Sequence, residues 1–235
     1  MIVKGKVALV TGASSGIGRA LARLLAAGGA NTALSARSAG PLEQLAGELP
    51  GSLAVPADMR DEGAVRHMVE AAYSHFGRID ILVNNAGRAL HGALTGVDAA
   101  EYRDLLDLHV VGPLLAMQMV VPLMREHGGG VIVNVSSGTT LLTLPGVGAY
   151  SSSKHALNNL SKVARRELAA ENISVCLVYP FVTATNFGGG AAARGPAGTD
   201  LVPDTAEYAA ALVLDAIESE REDTYAAKVP GGRSG

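Results

Sequence analysis

Two apolar rhythms alternate along the chain. Short runs apolar at nearly every position recur over 6–10, 31–36, 53–56, 79–84, 130–136 and 173–179, with a shorter one near 224–229. Such runs read as strands buried on both faces. Between them, apolar residues recur at helical spacing over 16–27, 41–48, 62–75, 99–125, 150–170 and 205–219. Ile17, Ala20, Leu21, Leu24, Leu25 and Gly28 trace one such helix face. Strict alternation predicts an α/β fold, a doubly wound parallel β-sheet flanked by helices on both faces. No Pro/Ser-rich or charged linker interrupts it, so a single domain over 1–235 is expected.

Chemistry gathers where the strand runs end. The first is followed by Thr11-Gly12-Ala13-Ser14-Ser15-Gly16-Ile17-Gly18, and the helical rhythm starts inside that motif. Strand, glycine turn and helix are the setting of a dinucleotide-binding (Rossmann) fingerprint. Glycines let the backbone approach a pyrophosphate, and the helix N-terminus offers it N–H groups. The spacing is GxxxGxG, through Gly12, Gly16 and Gly18, rather than the commoner GxGxxG. The competing reading is a plain glycine turn. The second run ends in Ala36-Arg37-Ser38. NAD-binding chains place a carboxylate here for the ribose 2′-hydroxyl, and NADP-binding chains use a nearby arginine for the 2′-phosphate. With Ala36 neutral, Arg37 and Ser38 favour NADP(H), because a guanidinium pairs with a phosphate through charge-assisted bonds. Otherwise Arg37 is an exposed surface arginine.

A second constellation is Tyr150-Ser151-Ser152-Ser153-Lys154, downstream of Ser136-Ser137. Tyr and Lys at this spacing share a helix face. A phenol alone is a poor acid or base near neutrality, and an ammonium one turn away lowers its pKa. With a serine hydroxyl, the pair can exchange a proton with a carbonyl or alcohol. An exposed helix start with a solvated lysine is the bland alternative.

Together these motifs resemble the short-chain dehydrogenase/reductase (SDR) family. The likeness is carried by Thr11 to Gly18, by Asn84-Asn85-Ala86-Gly87, by Ser137 and by Tyr150 to Lys154, with Ser137 and Tyr150 separated by 13 positions as in the family. The resemblance implies an NADP(H)-dependent oxidoreductase acting on a small uncharged carbonyl or secondary alcohol. Tyr150 is then the acid or base, Ser137 polarises the carbonyl, and Lys154 lowers the tyrosine pKa and bonds the nicotinamide ribose. Gly12, Ser14, Ser15, Gly16, Ile17 and Gly18 hold the pyrophosphate. Asp58 accepts from the adenine amino group and Met59 flanks the ring, although Asp58 equally reads as a helix N-cap. Asn85, Ala86 and Gly87 line the adenosine half. Pro180, Val182 and Thr185 face the carboxamide and diphosphate. His109 stands where the family usually has an Asn that holds a water chain to the catalytic lysine. Its imidazole either continues that relay or packs between helices. Phe181 replaces a usual glycine.

The remaining features narrow the picture. Pocket candidates His91, Leu141, Leu142, Val147, Phe181 and Phe187, with a substrate loop over 183–200, are mostly apolar. A net charge of −3 gives no nucleic-acid footprint. The single Cys176 excludes an internal disulfide, and no metal-ligand cluster surrounds it. The apolar run 110–124 is short for a membrane span and holds two prolines. With no signal-peptide pattern, a cytoplasmic protein is expected. The family resemblance implies a homodimer or homotetramer, using Leu114, Leu115, Met117, Val121, Leu157 and Leu160. The rival reading is a non-catalytic NADP(H)-binding sensor or scaffold that keeps the fold.

Overall fold

A computed structural model describes residues 1–184 and 202–229. Thr185, Phe187 and positions 185–200 of the loop expected over 183–200 lie outside the described residues. The strands are β1 (Val7–Thr11), β2 (Asn31–Ser35), β3 (Ser52–Ala54), β4 (Ile81–Asn84), β5 (Gly130–Val135), β6 (Ile173–Tyr179) and β7 (Asp223–Tyr225). They form one sheet in the order β3-β2-β1-β4-β5-β6-β7, with every pairing parallel. The fold expected from the alternation is therefore present. Against the sequence reading, β1 is shifted by one residue, β4 starts two residues late, β3 runs over Ser52–Ala54, and the last strand begins at Asp223 and ends at Tyr225.

The helices are α1 (Gly16–Ala27), α2 (Ala39–Glu48), α3 (Glu62–Phe76), α4 (Ala99–Leu106), α5 (Gly112–Glu126), α6 (Gly148–Leu168) and α7 (Ala206–Ser219). Two cores sandwich the sheet. One joins Val10, Leu34 and Ile81 to Leu21 and Leu25 of α1 and Val213 and Ile217 of α7. The other joins Leu9, Leu82 and Ile132 to Met68 of α3 and Ala116, Val120 and Met124 of α5. Strand order reverses between β1 and β4, and in such sheets ligands bind at the carboxyl ends beside the reversal. The opposite end is closed by Asp80, which is 2% exposed and accepts from Val7 N at 2.9 Å while pairing with Arg78 and Lys6. Burial pushes its carboxyl up, but those bonds outweigh it and hold it below the ordinary value.

The helix expected over 99–125 is instead divided. A π turn, Asp107–Val111, separates α4 from α5. Pro113 supplies the cause: it has no N–H for the His109 carbonyl four residues back, and its ring crowds that carbonyl. One wide turn relieves the clash. The whole stretch Ala99–Glu126 is long and apolar enough to cross a membrane by length and composition alone. Here Ala116, Val120 and Met124 are fully buried against the sheet.

Candidate active site

The ends of β1 and β4 are laced together by Thr11, a polar residue 1% exposed at the tip of an apolar strand. Its hydroxyl donates to Val83 O at 3.2 Å and accepts from Asn85 N and Ala86 N at 3.0 and 3.1 Å. Asn85 Nδ2 donates back to Thr11 O at 2.9 Å and Gly12 O at 3.3 Å. This embrace leaves no room for a side chain at Gly12 or Gly18. A Cβ on Gly12 would lie 2.8 Å from Asn85 Nδ2, and one on Gly18 would lie 2.4 Å from Gly12 O. Gly16 has φ 51°, a left-handed conformation that glycine adopts without strain. Thr11 was not singled out in the sequence, although a Thr closing a buried strand just before the first glycine is a readable signal.

Helix α1 then starts at Gly16 with Ser15 as its N-cap. The Ser15 side chain makes no capping bond, and the first turn holds no acidic residue. Those N–H groups and the positive end of the helix dipole suit an anion. Asn84 at the end of β4 ties the sheet internally, donating to Asn134 Oδ1 at 2.8 Å.

At the adjoining strand ends, Arg37 and Ser38 are both exposed. Arg37 is close enough to Asp58 for its charge to help lower that carboxyl. The bond from Arg60 is the larger cause. Arg60 grips Asp58 through Nε at 3.0 Å and Nη2 at 2.6 Å. It also reaches Asp104 of α4, which in turn binds Arg88 at 3.0 Å. This ion-pair chain was not anticipated, because its members are far apart in sequence. Met59, 4% exposed, packs within the α3–α5 core.

Ser137, Tyr150 and Lys154 converge where β5 meets α6. Ser137 Oγ accepts from Thr139 N at 3.2 Å and Thr139 Oγ1 at 2.9 Å. Its own hydrogen is then the one available to the Tyr150 oxygen, with which it is hydrogen-bonded. Ser151 Oγ donates to Thr139 O at 3.0 Å, tying the start of α6 to the Ser137 turn. Ser136 is excluded as the alternative, since its hydroxyl is buried against Asn158 Oδ1 at 2.5 Å. Burial pushes the Tyr150 phenol up to about 12, and the Ser137 bond opposes that rise. The expected depression by Lys154 is therefore not what sets this phenol. Lys154 is 4% exposed, donates to Val135 O at 2.9 Å, and is pulled down by burial to about 8.

His109 is fully buried beside this group. Nε2 accepts from Arg88 N at 3.2 Å, and Nδ1 lies 2.9 Å from Ser153 Oγ. On the other flank, Gly138 N donates to Pro180 O at 2.8 Å, and the Phe181 ring packs on Gly138, where a Cβ would come within 3.2 Å of it. Val182 follows, half-buried, and its carbonyl accepts from Asp204 N at 2.8 Å. His91 and Leu141 are exposed, and Leu142 and Val147 are half-buried. Gly92 N donates to Gly146 O at 2.9 Å, so the loops carrying them are joined. Among the described residues no group of three or more His, Cys, Asp or Glu could hold a metal.

Known proteins resemble this chain in sequence and fold. The family model described as short chain dehydrogenase matches residues 6–194. An uncharacterized oxidoreductase of Methylorubrum extorquens is 40% identical over 204 residues, 85% of this chain and 80% of its own length. A blue fluorescent protein from a metagenomic library, solved with NADPH, superposes with a TM-score of 0.89 at 30% identity, covering 99% of this chain and 100% of that one. A short chain dehydrogenase/reductase from Burkholderia phymatum, solved with NAD, gives 0.86 at 26% identity over 96% of this chain and 90% of that one. The laced glycine turn, the Ser137–Tyr150–Lys154 convergence and these matches agree: the chain belongs to the short-chain dehydrogenase family of oxidoreductases.

Proposed function

We propose that the protein is an NADP(H)-dependent oxidoreductase that interconverts a small uncharged carbonyl compound and its secondary alcohol. The observation that carries this reading is the Tyr150 hydroxyl held by Ser137 beside buried Lys154, at the sheet end that also bears the glycine turn. The residues fit a dinucleotide. The turn around Gly12, Gly16 and Gly18 and the uncapped start of α1 suit a pyrophosphate. Arg37, exposed beside Asp58, suits a 2′-phosphate. One solved neighbour is complexed with NADPH and another with NAD, so the choice rests on Arg37 and the neutral Ala36.

When bound, the nicotinamide supplies or accepts the hydride. The chain's own residues manage the proton. A phenol at about 12 keeps its proton at neutral pH and gives it up as the carbonyl oxygen gains charge. Ser137 fixes the Tyr150 oxygen, and its hydroxyl hydrogen would have to turn from that oxygen to the substrate carbonyl to polarise it. The Lys154 ammonium, held beside them by Val135 O, favours negative charge developing at the tyrosine oxygen. Exposed Leu141 and Leu144 and half-buried Leu142 and Phe181 line the approach and favour an uncharged substrate. The single buried Cys176 and the core-packed α5 are consistent with a cytoplasmic protein, and we expect it to assemble as a homodimer or homotetramer.

The test is a panel of carbonyl compounds, with NADPH consumption followed by absorbance. Tyr150→Phe keeps the ring and removes the proton, so turnover should fall by about 10²–10⁴ while NADPH affinity holds. A non-catalytic sensor would keep its cofactor response and show no turnover in either form. Turnover retained in Tyr150→Phe at more than about a tenth of wild type moves the acid to another residue.

A further inference from the structure

Three pieces of chain meet at His109. They are the π turn that carries it, the turn after β4 through Arg88 N, and the first turns of α6 through Ser153. The bonds fix its protonation. The single hydroxyl hydrogen of Ser153 goes to the Tyr150 carbonyl at 2.7 Å, so Ser153 Oγ can only accept from the imidazole. Nε2 must be bare, because Arg88 N–H points at it. The ring is therefore neutral, with its proton on Nδ1, and neither nitrogen is left for a relay water. Tyr150 packs edge-on to the same ring, with centroids 5.6 Å apart at 80°.

We propose that His109 is a positioning residue, which through Ser153 sets the height and tilt of the α6 turn bearing Tyr150 and moves no proton in the reaction. This rests on Tyr150 being the acid, as argued above. The surroundings agree with a permanently neutral strut. The groups facing it are Lys154 and Tyr150 from α6 and Arg88 from the β4–α4 connection, and the two cations oppose a third charge. Burial first, then Lys154 and Arg88, hold its pKa well below the ordinary value. A proton relay through the imidazole, one of the two roles open from sequence, does not fit these bonds.

Imidazole ¹⁵N spectra of the whole protein test the strut directly, without activity. A protonated Nδ1 and bare Nε2 are expected at every pH from about 5 to 8. An Nε2–H tautomer, or titration inside that window, overturns the proposal. Kinetics supply the second arm. Ser153→Ala removes the acceptor for Nδ1–H and the donor to Tyr150 O, and should lower kcat roughly 3- to 10-fold with the KM for NADPH unchanged. His109→Leu should lose roughly 10- to 100-fold, since it also orphans Arg88 N–H. His109→Asn should recover part of that loss, because an amide at the δ position can still donate to Ser153. All variants should keep the wild-type shape of the pH profile. Wild-type kcat in Ser153→Ala, or an acidic limb that disappears in His109→Asn, sinks the strut. Activity surviving in Tyr150→Phe would instead sink the assignment of the acid, and the tautomer spectrum does not depend on that assignment.

Discussion

Arg37 bears on cofactor choice through one interaction. Its guanidinium is exposed, and among the described residues it forms no ion pair, so it is open to a phosphate. Losing a charge-assisted phosphate contact typically costs about 1.5–3 kcal/mol, roughly 10- to 150-fold in affinity. Arg37→Ala should weaken NADPH by that factor and leave NADH nearly unchanged, read by fluorescence titration of both nucleotides. Equal affinity of the wild type for the two would refute the assignment. The same scale shows why some residues were legible and others not. Spacing to Tyr150 selected Ser137 over Ser136, and burial of Ser136 against Asn158 agrees. Met59 follows Asp58 in sequence, but its direction depends on how α3 and α5 close over it. The tautomer of His109 depends on Ser153 and Arg88, one 44 positions away and the other 21, so no local pattern carries it.

Elements with strong periodicity stand close to where the sequence placed them, and α1 and β6 match in full. The division of 99–125 is the exception. Pro113 was visible, but whether a helix ends, kinks or widens at a proline depends on what packs around it. Here the residue before Pro113, Gly112, is the tight contact. It lies so close to β3–α3 that a Cβ would sit 2.3 Å from Met59 O, a backbone atom that cannot rotate away. Gly112→Ala should therefore destabilise the protein by about 1–3 kcal/mol, despite the better helix propensity of alanine. Gly47 in α2 has open space at its Cβ, so Gly47→Ala should stabilise by about 0.5–1 kcal/mol. Urea unfolding of both variants checks the pair. A neutral or stabilising Gly112→Ala would mean that the helix junction has room to shift away from Met59.

At the scale of the whole molecule, a parallel sheet with a core on each face follows from alternation, because helices must cover each face of such a sheet, whereas the strand order is read only from the fold. Assembly was less legible, since a helix face that is apolar in sequence serves either the core or a partner. The fold separates the two. Met117, Val121 and Leu157, expected at a partner interface, are buried in the chain's own interior. Leu114, Leu115 and Leu160 stay half-buried, and Val111 and Val163 are 42% and 46% exposed on the α5 and α6 side. We expect these five residues to form the contact between copies, related by a two-fold axis, the commonest closed symmetry. Light scattering at micromolar concentration should then give two or four times the chain mass of 23.9 kDa. Val163→Glu places a charge where burial would leave it unpaired, so it should shift the mass toward the single chain and leave the fold intact by circular dichroism. A wild-type monomer, or an oligomer indifferent to Val163→Glu, would place the contact elsewhere or remove it.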